Sequence, residues 1–148
     1  MATYQKHGIR FEYPTEWTLT DEEQGETVNV HVQTPGLAFW TLTLLPSTTS
    51  VAEVVDATVE AFEQEYEQVD RYDRGVEFDG IRTAGCDLDF VCLDLVNSAC
   101  VRAIALAETT ALVLFQGEDR EWDLYRESFE SMTASLLVDA ATLGTHSE

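Results

Sequence analysis

The stretch Ser50-Val-Ala-Glu-Val-Val-Asp-Ala-Thr-Val-Glu-Ala-Phe-Glu-Gln-Glu-Tyr-Glu67 is where the chain changes its period. Ser50-Val-Ala-Glu53 has capping-box spacing, in which the hydroxyl accepts from the third helical N–H and the carboxylate reaches back. Val51, Val54, Val55, Thr58, Phe62 and Tyr66 then recur at three- and four-residue steps, the mark of an amphipathic helix. Glu53, Asp56, Glu60, Glu63 and Glu67 occupy the other face. The spacing predicts a helix over Val51–Glu67 that packs by one side on a sheet.

Upstream the period is two. Ile9, Phe11 and Tyr13 share one face of an extended segment that Pro14 ends. Trp17–Thr20 reads as a short strand, Asp21–Glu26 as an acidic turn around Gly25, and Val28, Val30 and Val32 as the inner face of the next strand. Pro35-Gly36 turns the chain into Leu37–Leu45, closed by Pro46. Together these predict an antiparallel meander.

Downstream, Asp70–Asp79 returns to extended structure around Gly75, and Asp79-Gly80 is a hairpin signal. Strands are expected at Ile81–Asp94, Ala99–Ala107 and Ala111–Gln116, with turns at Asn97-Ser98 and Glu108–Thr110. The middles of these strands are apolar on both faces and therefore need cover on both sides. Asp119 is placed to cap a second helix over Glu121–Leu136, with Trp122, Tyr125, Phe129, Met132 and Leu136 at helical spacing. The expected fold is α+β, an antiparallel sheet of six to eight strands sandwiched between helices. Residues 1–138 read as one domain and 139–148 as a loose tail.

The chain is 148 residues long and carries 28 Asp+Glu against 8 Lys+Arg, a formal charge of −20. Lys6 is its single lysine, so no basic patch is available to meet a phosphate backbone, and nucleic acid is excluded as a partner class. Two explanations fit the acids: a solvated surface, or work in high salt where counterions screen self-repulsion. No apolar run reaches membrane-spanning length, and the first residues lack a signal-peptide core, so a cytoplasmic location without membrane contact is expected. The three cysteines, Cys86, Cys92 and Cys100, lie in apolar stretches and read as reduced, buried thiols.

Gly8-Ile-Arg-Phe-Glu-Tyr-Pro-Thr-Glu-Trp17 adds a resemblance. An apolar-x-aromatic-x-Tyr-Pro-x-x-Trp entry, followed by meander, helix, further strands and a C-terminal aromatic helix, resembles the PsbP-like superfamily, which includes the Ran-binding import factor of the Mog type. The resemblance spans about residues 7–137 in element order and rests on Phe11, Tyr13, Pro14 and Trp17, which are turn and core positions. It implies a docking fold without catalytic machinery. One bacterial branch of that superfamily consists of small chaperones that shelter apolar helices of secreted toxins, usually as dimers.

Chemistry-bearing patterns are few. There is no GxSxG elbow, CxxC pair, HExxH motif or phosphate loop, and Cys–His spacing is absent. Asp87 and Asp89 share one face of a strand, a spacing open to a divalent cation, against the plainer reading of a solvated strand end. Trp17 and Trp122 read as core. Leu37–Leu45 carries large apolar groups on both faces, and if that strand lies near the sheet edge, Trp40, Leu42 and Leu44 are the partner-binding candidates. No catalytic residue, metal ligand or cofactor is assigned. The sequence thus predicts a non-catalytic protein-binding or chaperone-like docking module, monomeric or homodimeric, with a protein partner that is basic if charge selects it. The alternative is a small-molecule or divalent-metal-binding protein.

Overall fold

The computed structural model describes residues 1–46, 49–74 and 80–146, with side chains described through residue 140. Ser50 opens the first helix as its spacing requires: its Oγ accepts the Glu53 N–H at 3.1 Å. Helix α1 runs Val51–Glu65 and buries Val54, Val55, Val59 and Phe62. It stops two residues earlier than expected. Tyr66 turns extended while its N–H still reaches the Phe62 carbonyl, and Glu67 already begins a strand.

A hairpin of β1 (Ala2–Lys6) and β2 (Ile9–Tyr13) forms a two-stranded sheet of its own. β1 was not anticipated from sequence. Its two-residue loop is His7-Gly8, both at positive φ, the primed-turn geometry that suits right-handed strand twist. The main sheet has seven strands, all paired antiparallel, in the order β3-β4-β5-β9-β8-β7-β6. These are β3 (Thr18–Gln24), β4 (Thr27–Gln33), β5 (Phe39–Pro46), β6 (Glu67–Asp73), β7 (Thr83–Cys92), β8 (Leu95–Ala105) and β9 (Thr109–Glu118). An α+β fold built on an antiparallel sheet is therefore correct.

Local details differ from expectation. Asp21, Glu22 and Glu23 belong to β3, and the turn is confined to Gly25-Glu26. Asn97-Ser98 is not a turn: the pair lies within β8 and is bonded on both sides, to Phe90 and Asp89 in β7 and to Glu118 and Gly117 in β9. The turn is Leu93-Asp94 instead, two non-glycine residues at φ 52° and 64°. Gly75 and Asp79, expected in extended structure and a turn, lie outside the described residues.

Helix α2 spans Asp119–His146, so the expected loose tail at 139–148 is corrected: helix continues through Asp139–His146. Apolar periodicity fades there, but Ala140, Ala141 and Leu143 have high helix propensity, and extending an existing helix avoids the cost of nucleation. The cap also shifts by one residue, from Asp119 to Glu118, whose Oε1 accepts the Glu121 N–H at 3.2 Å.

Two apolar clusters occupy opposite parities of the strands. Phe129, Met132, Leu136 and Leu137 of α2 join Tyr4, Ile9 and Phe11 of the small hairpin over Val30, Val32, Trp40, Leu42 and Leu44, and over Cys100, Ile104, Ala111, Val113 and Phe115. The second cluster sets Val54, Val55, Val59 and Phe62 of α1 on Cys86, Leu88 and Phe90 of β7 and Ala99, Val101 and Ala103 of β8. Successive strand residues face opposite sides, which explains why the middles of β8 (Arg102 excepted) and β9 are apolar on both faces while β4 and β7 alternate.

Candidate functional site

Trp40, Leu42 and Leu44, the expected partner-binding residues, are core. Their relative exposures are 0%, 0% and 2%. β5 is the third of seven strands rather than an edge, and the face they share is covered by α2 and the β1–β2 hairpin. Trp40 packs on Phe11 with ring centroids 4.7 Å apart. Its Nε1 donates to Thr133 Oγ1 at 3.0 Å, and that hydroxyl donates to the Phe129 carbonyl. Alternation showed that both faces were apolar, but the covering elements come from the two distant ends of the chain. Trp17 and Trp122 pack against this same cluster, as expected of core-facing aromatics.

The opening lies on the other parity. α1 rests on β6, β7 and β8 and only grazes β9. A groove of about 530 Å³ therefore remains beside it, walled by Val54, Ala57 and Ala61 of α1 and floored by Leu45 of β5 and Leu112 and Leu114 of β9. Ala57 and Ala61 are exposed and add little bulk, so the groove stays open. Glu53 and Glu65 mark its ends, roughly 18 Å apart along the helix. The two-sided apolar pattern of Ala111–Phe115 was the available signal: one of its faces is only partly covered.

A second opening, on the α2 side, is charged. It is a cleft of about 300 Å³ among β6, β7, β8 and α2. Asp87 lies at its floor, with Oδ1 accepting Arg102 Nη2 at 2.9 Å and Oδ2 accepting Arg74 Nε at 2.7 Å. Arg102 is further anchored through Nη1 to the carbonyls of Cys86 and Val101, both at 2.9 Å. Burial pushes the Asp87 carboxyl up, but hydrogen bonds from Arg102, the Cys100 thiol and Arg74, with the Arg102 charge, outweigh it and hold it below the usual carboxylate range. Asp89 accepts from the Ser98 hydroxyl at 3.0 Å. The solvated strand end expected for these two aspartates is thus a half-buried ion-pair floor. Two guanidinium groups already satisfy Asp87, which removes the motive for a divalent cation there. Among the described residues no group of three or more His, Cys, Asp or Glu side chains converges as a metal site.

The three cysteines are free. Cys86 and Cys100 are buried, and burial, with Asp87 nearby, pushes the Cys100 thiol up to about 12. Cys92 departs from the expected burial: it ends β7 and is half-buried. No helix among the described residues is long and apolar enough to cross a membrane.

No family model matches the chain, and no curated protein matches it in sequence. Solved structures do. PA94 from Pseudomonas aeruginosa, a protein of unknown function described as a candidate regulator, shares 12% identity at a TM-score of 0.55, covering 88% of this chain and 91% of that one. LpqN of Mycobacterium tuberculosis, involved in cell envelope biogenesis, shares 8% identity at a TM-score of 0.51, covering 82% of this chain and 78% of its own. At these identities the likeness establishes a shared fold and carries no activity across.

Proposed function

We propose that this chain is a non-catalytic, cytoplasmic protein-binding module whose docking surface is the apolar groove beside α1. The groove carries the reading: it is an open apolar trough between a helix and a sheet, ended by Glu53 and Glu65, the form of surface that accepts a segment of another protein. The acids at its ends, within a molecule of charge −20, favour a basic partner and speed its encounter. Free thiols support a reducing compartment. We also read the sheet as sandwiched, α1 over one face and α2 with the β1–β2 hairpin over the other, each helix serving one end of the sheet. This reading rests on the opposite parities of the two clusters. It agrees with the PsbP-like resemblance and with a chaperone-like role for the groove, as monomer or homodimer.

Ala57→Arg and Ala61→Arg test the proposal, because both alanines are exposed on α1. An arginine there places a charge on the apolar wall and repels a basic partner while standing four residues from Glu53 or Glu65, a spacing that supports the helix. Each variant is expected to keep its melting temperature and to lose the partner that the wild-type protein retains in native lysate, at low and at high salt. Retention of the same partner by both variants would remove the groove from the function.

A further inference from the structure

The charged cleft between α2 and the outer strands is separate from the groove and collects an unusual share of the molecule's cations. Arg74 and Arg126 line it and Arg102 bonds the Asp87 carboxylate at its floor, in a chain that has only 8 Lys+Arg in all. Arg102 is committed to holding the floor. Arg74 and Arg126 are not: each spends its Nε, on Asp87 at 2.7 Å and on Glu130 at 3.0 Å. A guanidinium has five N–H donors in a planar fork. Among the described residues, the terminal nitrogens of these two arginines have no partner. They come from different elements, Arg74 following β6 and Arg126 on α2, and line one cavity. One turn before Arg126, Trp122 forms a wall of the same cavity while it stacks on Phe115 at a centroid distance of 5.8 Å.

We infer that this cleft binds a small organic monocarboxylate with a flat apolar body, its carboxylate taken by Arg74 and Arg126 and its body by Trp122. Paired N–H groups on planar forks match a carboxylate better than a point charge does. Asp87 and Asp89 on the floor set the upper limit on ligand charge, because a polyanion would meet two carboxylates there as well as the arginines. The volume is at the small end for ligand sites, which suits a single ring or a short chain. Asp87 acts here as a positioning residue, orienting Arg74 and neutralising Arg102.

The test uses the whole chain with sodium benzoate as probe, benzamide as its neutral counterpart, and inorganic phosphate. Amide shifts are followed by NMR alongside tryptophan fluorescence. Benzoate is expected to shift the Ser98–Cys100 amides saturably at about millimolar concentration, and benzamide to leave them unmoved. Arg74→Gln and Arg126→Gln alter side chains that are 61% and 54% exposed, so folding is retained, and each is expected to weaken binding about tenfold. Arg126→Lys, which keeps the charge but loses the fork, is expected to restore little of it. Four outcomes would overturn the inference: no saturable shift, equal binding of benzamide, phosphate binding as tightly as benzoate, or shifts confined to the α1 groove.

Discussion

Leu93 is 91% exposed and adopts φ 52°, a conformation that costs an ordinary L-residue about 1–2 kcal/mol and that asparagine tolerates. Leu93→Asn is therefore expected to raise stability by about 0.5–1 kcal/mol, read as a higher melting temperature; a lower one would show that the exposed side chain has a folded-state contact. Trp40 points the opposite way. With its ring against Phe11 and its indole N–H on Thr133, Trp40→Ala should cost about 3–5 kcal/mol and largely unfold the domain. A stable Trp40→Ala variant would contradict its place in the core. Thiol labelling separates the cysteines: one equivalent, at half-buried Cys92, is expected to react first, with Cys86 and Cys100 waiting for denaturation. At this scale residue type was readable from sequence and cover was not. Alternation at Leu37–Leu45 shows two apolar faces identically, whichever of them another part of the chain later buries.

Elements were legible wherever a local device begins them. The Ser50 hydroxyl announces α1, and its bond to the Glu53 N–H is present. Ends were harder, because they are decided elsewhere: α1 yields at Tyr66 to the pairing of Glu67 with Val91, and the β7–β8 turn falls on Leu93-Asp94 because Asn97 and Ser98 are held by strands on both sides. One tie between elements left no signal in sequence. Glu121, in the first turn of α2, accepts the Leu37 and Ala38 N–H groups at 2.7 and 3.2 Å, fastening that helix to the turn before β5. Gly36 belongs to the same tie, since a Cβ there would collide with the Glu121 carboxylate. Glu121→Ala should cost about 1 kcal/mol and speed hydrogen exchange at those two amides. Unchanged exchange would mean that water replaces the carboxylate at no penalty.

Across the whole molecule, the charge of −20 acts against compaction, and raising salt to about 1 M, where the Debye length is about 3 Å, should raise the melting temperature. A flat response would show that the acids are too well paired or too dispersed to repel. Acid works through a different group. The Asp87 pKa is depressed in the folded state, so its contribution is full above the unfolded value of about 3.9 and is lost as pH falls through that value toward the folded one. Asp87→Asn, which strips Arg102 of its counter-charge, should be less stable than wild type at neutral pH, with a gap that closes below about pH 4. A gap constant with pH would assign its origin to packing.

The strand order makes the sheet two local meanders, β3-β4-β5 and β6-β7-β8-β9, stitched along a single seam where Phe39–Pro46 pairs with Thr109–Gln116. Within each meander the paired strands follow one another in sequence, whereas the seam must bring together residues 63 to 77 positions apart, about half the chain, and such long-range closure is the slow entropic step of folding. Folding kinetics should therefore be governed at the seam. Leu42→Ala and Val113→Ala, opposite each other across it, should slow refolding, while Leu88→Ala inside the second meander should mainly hasten unfolding.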